Sequence, residues 1–323
     1  MSAAASGSIR YDGTTVADAQ PESVLLPGHD VPLGRYTTVR RLLPQRPRRM
    51  VGAWCFVDRF GPDDVAGRSG MQIPPHPHTG LQTVTWLVDG EILHRDSLGS
   101  VQSIVPGHLN LMTAGHGIAH SEQSPPVHPP VMDGLQLWVA LPESARHGEP
   151  RFAHHAALPQ VGAGDARITV VVGEYAGVRS PAEMASPIVG AQVDIDADAT
   201  VALTLRDDFE YALLTMSGTA RVDGVELAPG GLLYLCEGRS ATTVTTDGPA
   251  RLFLLGGEPF DDPLVMWWNF VARSHEELVA ARDDWAAGRR FGTVTGCVDA
   301  PLPAPEMPIT RVKARDRHGR TVG

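Results

Sequence analysis

Two short pairs of side chains carry the chemistry that this sequence can do: His76 with His78, and His120 with Glu122. In an extended strand, residues i and i+2 project to the same face, so each pair sends both side chains into one space. Two such pairs on strands that meet put three imidazoles and one carboxylate around a common point. That mixed nitrogen and oxygen set suits iron, nickel, manganese, copper, cobalt or zinc. A lone His-x-His is a weak signal, and a polar loop after Pro74-Pro75 is the competing reading of His76 and His78. Context favours the ligand reading. The first pair runs into an alternating stretch from Leu81 to Val88, and the second follows Pro106-Gly107 and an apolar stretch from Leu109 to Met112.

The elements that must position these groups are strands. Val51 to Asp58 reads as a buried strand, with Cys55 a small buried hydrophobe. If His76 and His78 face inward, the period of two carries Gln82, Val84 and Trp86 to the same side, provided that no bulge intervenes near Gly80. Asp89-Gly90 marks a hairpin turn, and His94 on the returning strand reads as a surface residue or a hydrogen-bonding neighbour of the site. Thr113 to Gly117 needs unusual backbone angles at its glycines, a bend that would aim His120 and Glu122. His116, in that bend, reads as solvated.

Between Ile73 and Glu122 the motifs P-P-H-P-H-x-G-x-x-T-V-T, E-x-x-H-x-D-S-x-G and P-G-x-x-x-x-M-T-A-G-x-G-I-x-H-x-E resemble the pirin family of the cupin superfamily. Weaker similarity continues through Leu135 to Val139, Gly256 to Pro259 and Trp267 to Phe270. The resemblance implies an all-β fold of two tandem cupin-type β-barrels, a bicupin, with one metal in the N-terminal barrel. It implies that His76, His78, His120 and Glu122 hold that metal. It also implies oxygen-dependent opening of a flavonol such as quercetin, although other members are described as transcriptional cofactors. Gln82 stands where the general cupin motif often carries a Glu ligand. Gln is a poor ligand, so Glu122 would supply the carboxylate. Gln82 becomes a candidate for orienting the ligands or the substrate, with barrel filling as an equal alternative, whereas Trp86 reads first as a core residue and second as such a candidate.

The rest of the chain fits this frame. With 323 residues, two domains are the default. The expected division is a flexible tail over 1–20, the metal-binding barrel over 21–145, a connection over 146–164 and a metal-free barrel over 165–260. A helix and packing segment over 261–300 and a partly disordered tail over 301–323 follow. The residues Pro229 to Leu235 repeat the Pro-Gly-x-Leu pattern of Pro106 to Met112, which supports duplication. No His lies between His155 and His275, so the second barrel cannot rebuild the three-imidazole site. Ser274 is the expected N-cap of a short C-terminal helix, Glu277 its capping-box partner and Gly288 its stop.

The net charge of −10 argues against direct nucleic-acid binding. The one basic run, Arg40 to Arg49, reads as a solvated turn with internal ion pairs, or else as a site for an anionic partner. Cys55, Cys236 and Cys297 are odd in number and far apart, which points to a reducing cytoplasm. No apolar run suffices to cross a bilayer, and the first 20 residues lack a signal-peptide core.

Taken with these readings, the resemblance implies a monomeric, cytoplasmic enzyme holding one divalent ion, Fe(II) first among the candidates. Its partners would be dioxygen and a small aromatic or enolic substrate, and Glu122 would accept the substrate proton. The competing reading is a metal- and redox-responsive regulator that binds a protein partner. A purely structural metal ranks last.

Overall fold

The structure is a computed structural model that describes residues 23–33 and 37–322. The expected tail over 1–20 lies outside the described residues. The first half contains β1 (Ser23–Pro27), β2 (His29–Leu33), β3 (Thr37–Leu43), β4 (Trp54–Asp64), β5 (Gln72–His78), β6 (Leu81–Asp89), β7 (Ile92–Asp96), β8 (Val101–Ile104), β9 (Leu109–Thr113), β10 (Ile118–Gln123) and β11 (Val131–Ala140). The second half contains β12 (Arg151–His155), β13 (Gln160–Ala163), β14 (Ala166–Tyr175), β15 (Val178–Arg179), β16 (Ile188–Ile195), β17 (Asp198–Thr204), β18 (Glu210–Ser217), β19 (Ala220–Val222), β20 (Val225–Leu227), β21 (Gly231–Leu235), β22 (Ala241–Asp247) and β23 (Ala250–Gly257). A hairpin, β24 (Val265–Trp267) and β25 (Phe270–Ala272), leads into α1 (His275–Ala286).

The strand orders reveal the duplication. The first half forms a large sheet β12-β9-β6-β11-β4-β3-β2 and a small one β5-β10-β7-β8. The second half forms β1-β21-β18-β23-β16-β14-β13, with β15 beside β14, and a small sheet β17-β22-β19-β20. Position by position the two orders coincide. The two Pro-Gly turns coincide as well: Gly107 and Gly230 both take positive φ, +86° and +92°. Each half also lends its first strand to the other. β1 pairs with β21, and β12 pairs with β9.

That exchange departs from two sequence expectations. Residues 23–27, assigned to the first barrel, complete the sheet of the second. The segment 146–164, expected as a plain connection, contains β12 and β13. β1 and β12 are edge strands whose partners come from the other half, and neither has a strong alternating pattern.

The largest apolar cluster lies between the two big sheets, which pack back to back. Leu135, Leu137 and Val139 of β11 and Val84 and Trp86 of β6 meet Ala212 and Leu214 of β18 and Phe253 and Leu255 of β23. Trp86 Nε1 donates across the interface to Gln192 Oε1 at 2.9 Å, and Trp54 Nε1 to Val189 O at 3.2 Å. A buried carboxylate pins the same interface. Glu210 accepts from Gly52 N at 2.6 Å and from Tyr234 Oη at 2.7 Å, with Arg48 at 3.3 Å. Arg41 holds Asp58 in a forked pair at 2.9 and 2.8 Å, and Arg40 pairs with Asp30. These arginines of the basic run are thus engaged in ion pairs within the chain.

Helix α1 forms as its caps dictate. Ser274 accepts from Glu277 N, Gly288 takes φ +65°, and Leu278 and Ala281 are buried. The segment after residue 301, expected to be partly disordered, folds back. Leu302 N donates to Pro75 O at 2.8 Å, Trp285 Nε1 to Leu302 O at 2.8 Å, and Arg315 exchanges two backbone bonds with Leu264. Its prolines disfavour helix and extended strands but do not exclude docking. Among the described residues no helix is long and apolar enough to cross a membrane.

Candidate metal centre

β5 and β10 run antiparallel, and their register sets His76 opposite His120 and His78 opposite Ile118. After His120 the register slips, so that Glu122 faces Ile73. The extra residue lies in β5, between Ile73 and His76, so β10 keeps its period of two and carries His120 and Glu122 on one face. The bend before β10 is built on Gly115, at φ +52°, where a Cβ would meet the carbonyl of Gly148. His120, Glu122 and His78 are at most 4% exposed, and His76 is 6% exposed.

The three imidazoles cluster as the spacing predicts. Ring centroids of His76 and His120 lie 4.4 Å apart, and those of His78 lie 5.0 Å from each. One nitrogen from each of His76, His78 and His120 falls within 4.8 Å of the other two. Glu122 belongs to a second triad, with His94 and His120. The four expected groups thus fall into two triads that share His120.

Hydrogen bonds fix which nitrogens face inward. His76 Nδ1 lies 2.9 Å from Pro74 O, and His78 Nδ1 lies 3.1 Å from Asn269 O. A carbonyl only accepts, so both rings carry the proton on Nδ1 and present a bare Nε2. His120 Nε2 is buried with no hydrogen-bond partner. A polar atom orphaned in this way is costly unless something else satisfies it. A divalent cation does so, and three neutral imidazoles with a carboxylate nearby are a suitable donor set. Burial pushes His76 down to about 4 and holds His78 and His120 well below the usual histidine range, so all three stay neutral. Burial also raises the Glu122 carboxyl, against His94 and the Thr85 hydrogen bond, which lower it.

The period-of-two extrapolation across Gly80 fails. Gly80 sits at φ +70° in a corner where the chain leaves the small sheet for the large one. The corner reverses the parity, and it is Thr85 Oγ1 that donates to Glu122 Oε1, at 3.1 Å. Gln82 instead bonds Thr113 Oγ1 at 3.0 Å and Glu183 O at 3.1 Å, and Trp86 lies in the inter-barrel core. Gln82 is thus not a neighbour of the imidazole cluster, and Trp86 is the core residue of its first reading. His116 sits beside Gly148 O, away from the cluster.

His94 is not a surface residue. It is 3% exposed, and its Nε2 lies 3.1 Å from Asp96 Oδ2. Its Nδ1 lies 3.4 Å from His120 Nδ1, and its ring stacks on Phe152 at 4.3 Å. The signal for both residues stood in the E-x-x-H-x-D motif. An aromatic wall closes another side: Trp138 stands edge-on to His78 at 5.0 Å and stacks on Phe56 at 4.0 Å. Asn269, whose carbonyl orients His78, follows Trp268, which takes φ +52° in the tight turn between β24 and β25.

Two duplicated β-barrels, one of them carrying a buried imidazole cluster, define a bicupin. Residues 36–139 match the Pirin family and residues 190–292 the Pirin C-terminal cupin domain. A Pseudomonas aeruginosa protein provisionally named a quercetin 2,3-dioxygenase is 45% identical over 277 residues, covering 85% of this chain and 88% of that protein. A pirin-like protein of Caulobacter vibrioides is 38% identical, covering 78% and 88%. The crystal structure of a quercetin 2,3-dioxygenase from Acinetobacter baumannii superposes with a TM-score of 0.88 at 40% identity, covering 90% of this chain and 97% of that one. The chain belongs to the pirin family.

Proposed function

We propose that this protein is a metal-dependent dioxygenase that opens a flavonol- or enol-type substrate in the manner of a quercetin 2,3-dioxygenase. The observation that carries this reading is the buried imidazole trio with its partnerless His120 Nε2. The names of the Pseudomonas and Acinetobacter relatives point the same way. His76, His78 and His120 would hold the ion, with Glu122 as its carboxylate and Fe(II) as the preferred metal. The ion would supply Lewis acidity, which favours the deprotonated form of a bound hydroxyl.

The chain's own residues do the rest. Glu122, the carboxylate beside the ion, would accept the proton of the substrate hydroxyl. Thr85, donating to Oε1, holds that carboxylate in place. Trp138, stacked on Phe56 and edge-on to His78, would form an apolar side of the site. Burial of the cluster keeps bulk water from the reacting atoms.

The test is oxygen uptake by protein loaded in turn with Fe(II), Ni(II), Mn(II), Co(II), Cu(II) or Zn(II), against a panel of flavonols and simple enols. Uptake that requires both metal and a flavonol or enol is expected. A fully metallated protein that consumes no oxygen with any of them would exclude the reading.

A further inference from the structure

His94 and Asp96 are buried beside the proposed ligands and have no part in the function as stated so far. Asp96 is fully committed as an acceptor. Its Oδ1 receives Leu98 N at 2.9 Å and Ser100 N at 3.0 Å, and its Oδ2 faces His94 Nε2 at 3.1 Å. Burial pushes this carboxyl up, but the bonds from His94 and Ser100 outweigh it and hold the pKa below the usual carboxylate range. An ionised carboxylate has no proton to give, so His94 Nε2 must carry the hydrogen. A cation held by His120 needs a bare Nε2, the buried nitrogen with no partner, and so puts the His120 proton on Nδ1. His94 Nδ1 lies 3.4 Å from that nitrogen, at the long end of hydrogen-bond distance, and is the acceptor it faces. Stacking on Phe152, with the ring planes 16° apart, fixes the plane of His94.

We propose that Asp96 and His94 form an ordered hydrogen-bond relay that sets the tautomer of His120 and aims its Nε2 at the site of the cation, so that His94 is a positioning residue and not a ligand. The inference rests on the metal reading above. It gives the three imidazoles two kinds of support. His76 and His78 are oriented by single backbone carbonyls, whereas His120 is oriented by a carboxylate acting through a second imidazole. A carboxylate behind an imidazole makes the ligand more basic than a carbonyl does. The relay also decides between the two triads that share His120. In the triad with His94 and Glu122, both rings would offer Nδ1, and His120 would carry its proton on the buried Nε2 with nothing to receive it.

The test reads tautomers before it reads metal. Imidazole 15N NMR of the metal-free wild type should show the proton on Nδ1 of His120 and on Nε2 of His94. A proton on Nε2 of His120 overturns the relay. In Asp96→Asn, the two loop N–H bonds keep the amide oxygen and turn its NH2 toward His94. That should move the His94 proton to Nδ1 and the His120 proton to Nε2. Cobalt(II) affinity, measured by chelator competition, should fall about 10- to 100-fold. In His94→Phe the fall should be similar, and adding Asp96→Asn to that variant should cost nothing more, because Asp96 acts only through His94. A second, equal loss in the double variant would assign Asp96 a loop role and overturn the relay. The predicted tautomers in a wild type that binds no cobalt would uphold the relay and refute the metal reading.

Discussion

The two barrels share a strand order and differ in what they enclose. In the first, β5 and β10 set imidazole against imidazole, and the inward face of β6 and β11 carries Thr83, Thr85, Gln136 and Trp138. In the second, the matching strands β17 and β22 set Val201 against Val244 and Leu203 against Thr242. Its interior is a continuous apolar cluster that includes Leu213, Leu252 and Leu254. Burying unpaired imidazoles and a carboxylate costs free energy that burying Val and Leu returns. The duplicated fold separates the two demands. The second barrel and the back-to-back interface supply apolar burial, and the first barrel is left free to hold polar groups away from water. The exchange of β1 and β12 ties the two together, so neither half has a complete large sheet without the other.

This contrast can be tested at several points. The largest effect is expected at His120→Ala, which should abolish stoichiometric metal binding and lower kcat/KM for oxygen uptake about 1000-fold, ~4 kcal/mol in barrier terms. Its denaturant midpoint should stay close to that of the metal-free wild type. Wild-type activity in metal-poor His120→Ala would remove the functional half of the contrast. Leu254→Ala should do the reverse: a stability loss of ~2–5 kcal/mol in urea, with unchanged metal content per folded molecule. Metal loss in the folded variant would mean that the barrels are not separable in this way. Thr85→Val keeps the shape and removes the hydroxyl that holds Glu122. About 1 kcal/mol, roughly 5-fold in kcat/KM, is expected with no change in melting temperature. The smallest effect is a null one. Burial raises the Cys55 thiol to about 12, so at pH 8 it should ignore thiol reagents until the protein unfolds, whereas half-buried Cys236 and Cys297 react.

Much of the site could be read from the chain because it depends on local rules. The i, i+2 spacing put His76 with His78, the glycine bend announced β10, and Ser274 and Gly288 gave the helix its ends, while the Glu277 side chain accepts from Arg273 N, one residue before the expected capping-box bond. The errors come from rules that stop at a corner or at a partner. Parity fails for Gln82 and Trp86 because Gly80 turns the chain from one sheet into another. β22 gives little signal because its buried positions, Thr242, Val244 and Thr246, are mostly Thr, so inside and outside differ little in hydropathy. His94 is polar in a short strand near a turn, and nothing local says that β10 lies over it.

The sequence by itself determined which residue types were available for metal chemistry, that they lay on strands and that the barrel unit was repeated. Those features follow from backbone periodicity and turn stereochemistry, which act within a few residues. Only the tertiary structure decided that Glu122 keeps company with His94 and Thr85, that Asp96 stands behind His94, and that each half completes the other's sheet. Such relations depend on strand register and on contacts between residues far apart in the chain. A slip of one position, as at the bulge in β5 between Ile73 and His76, changes which residues stand opposite each other without changing any residue's identity.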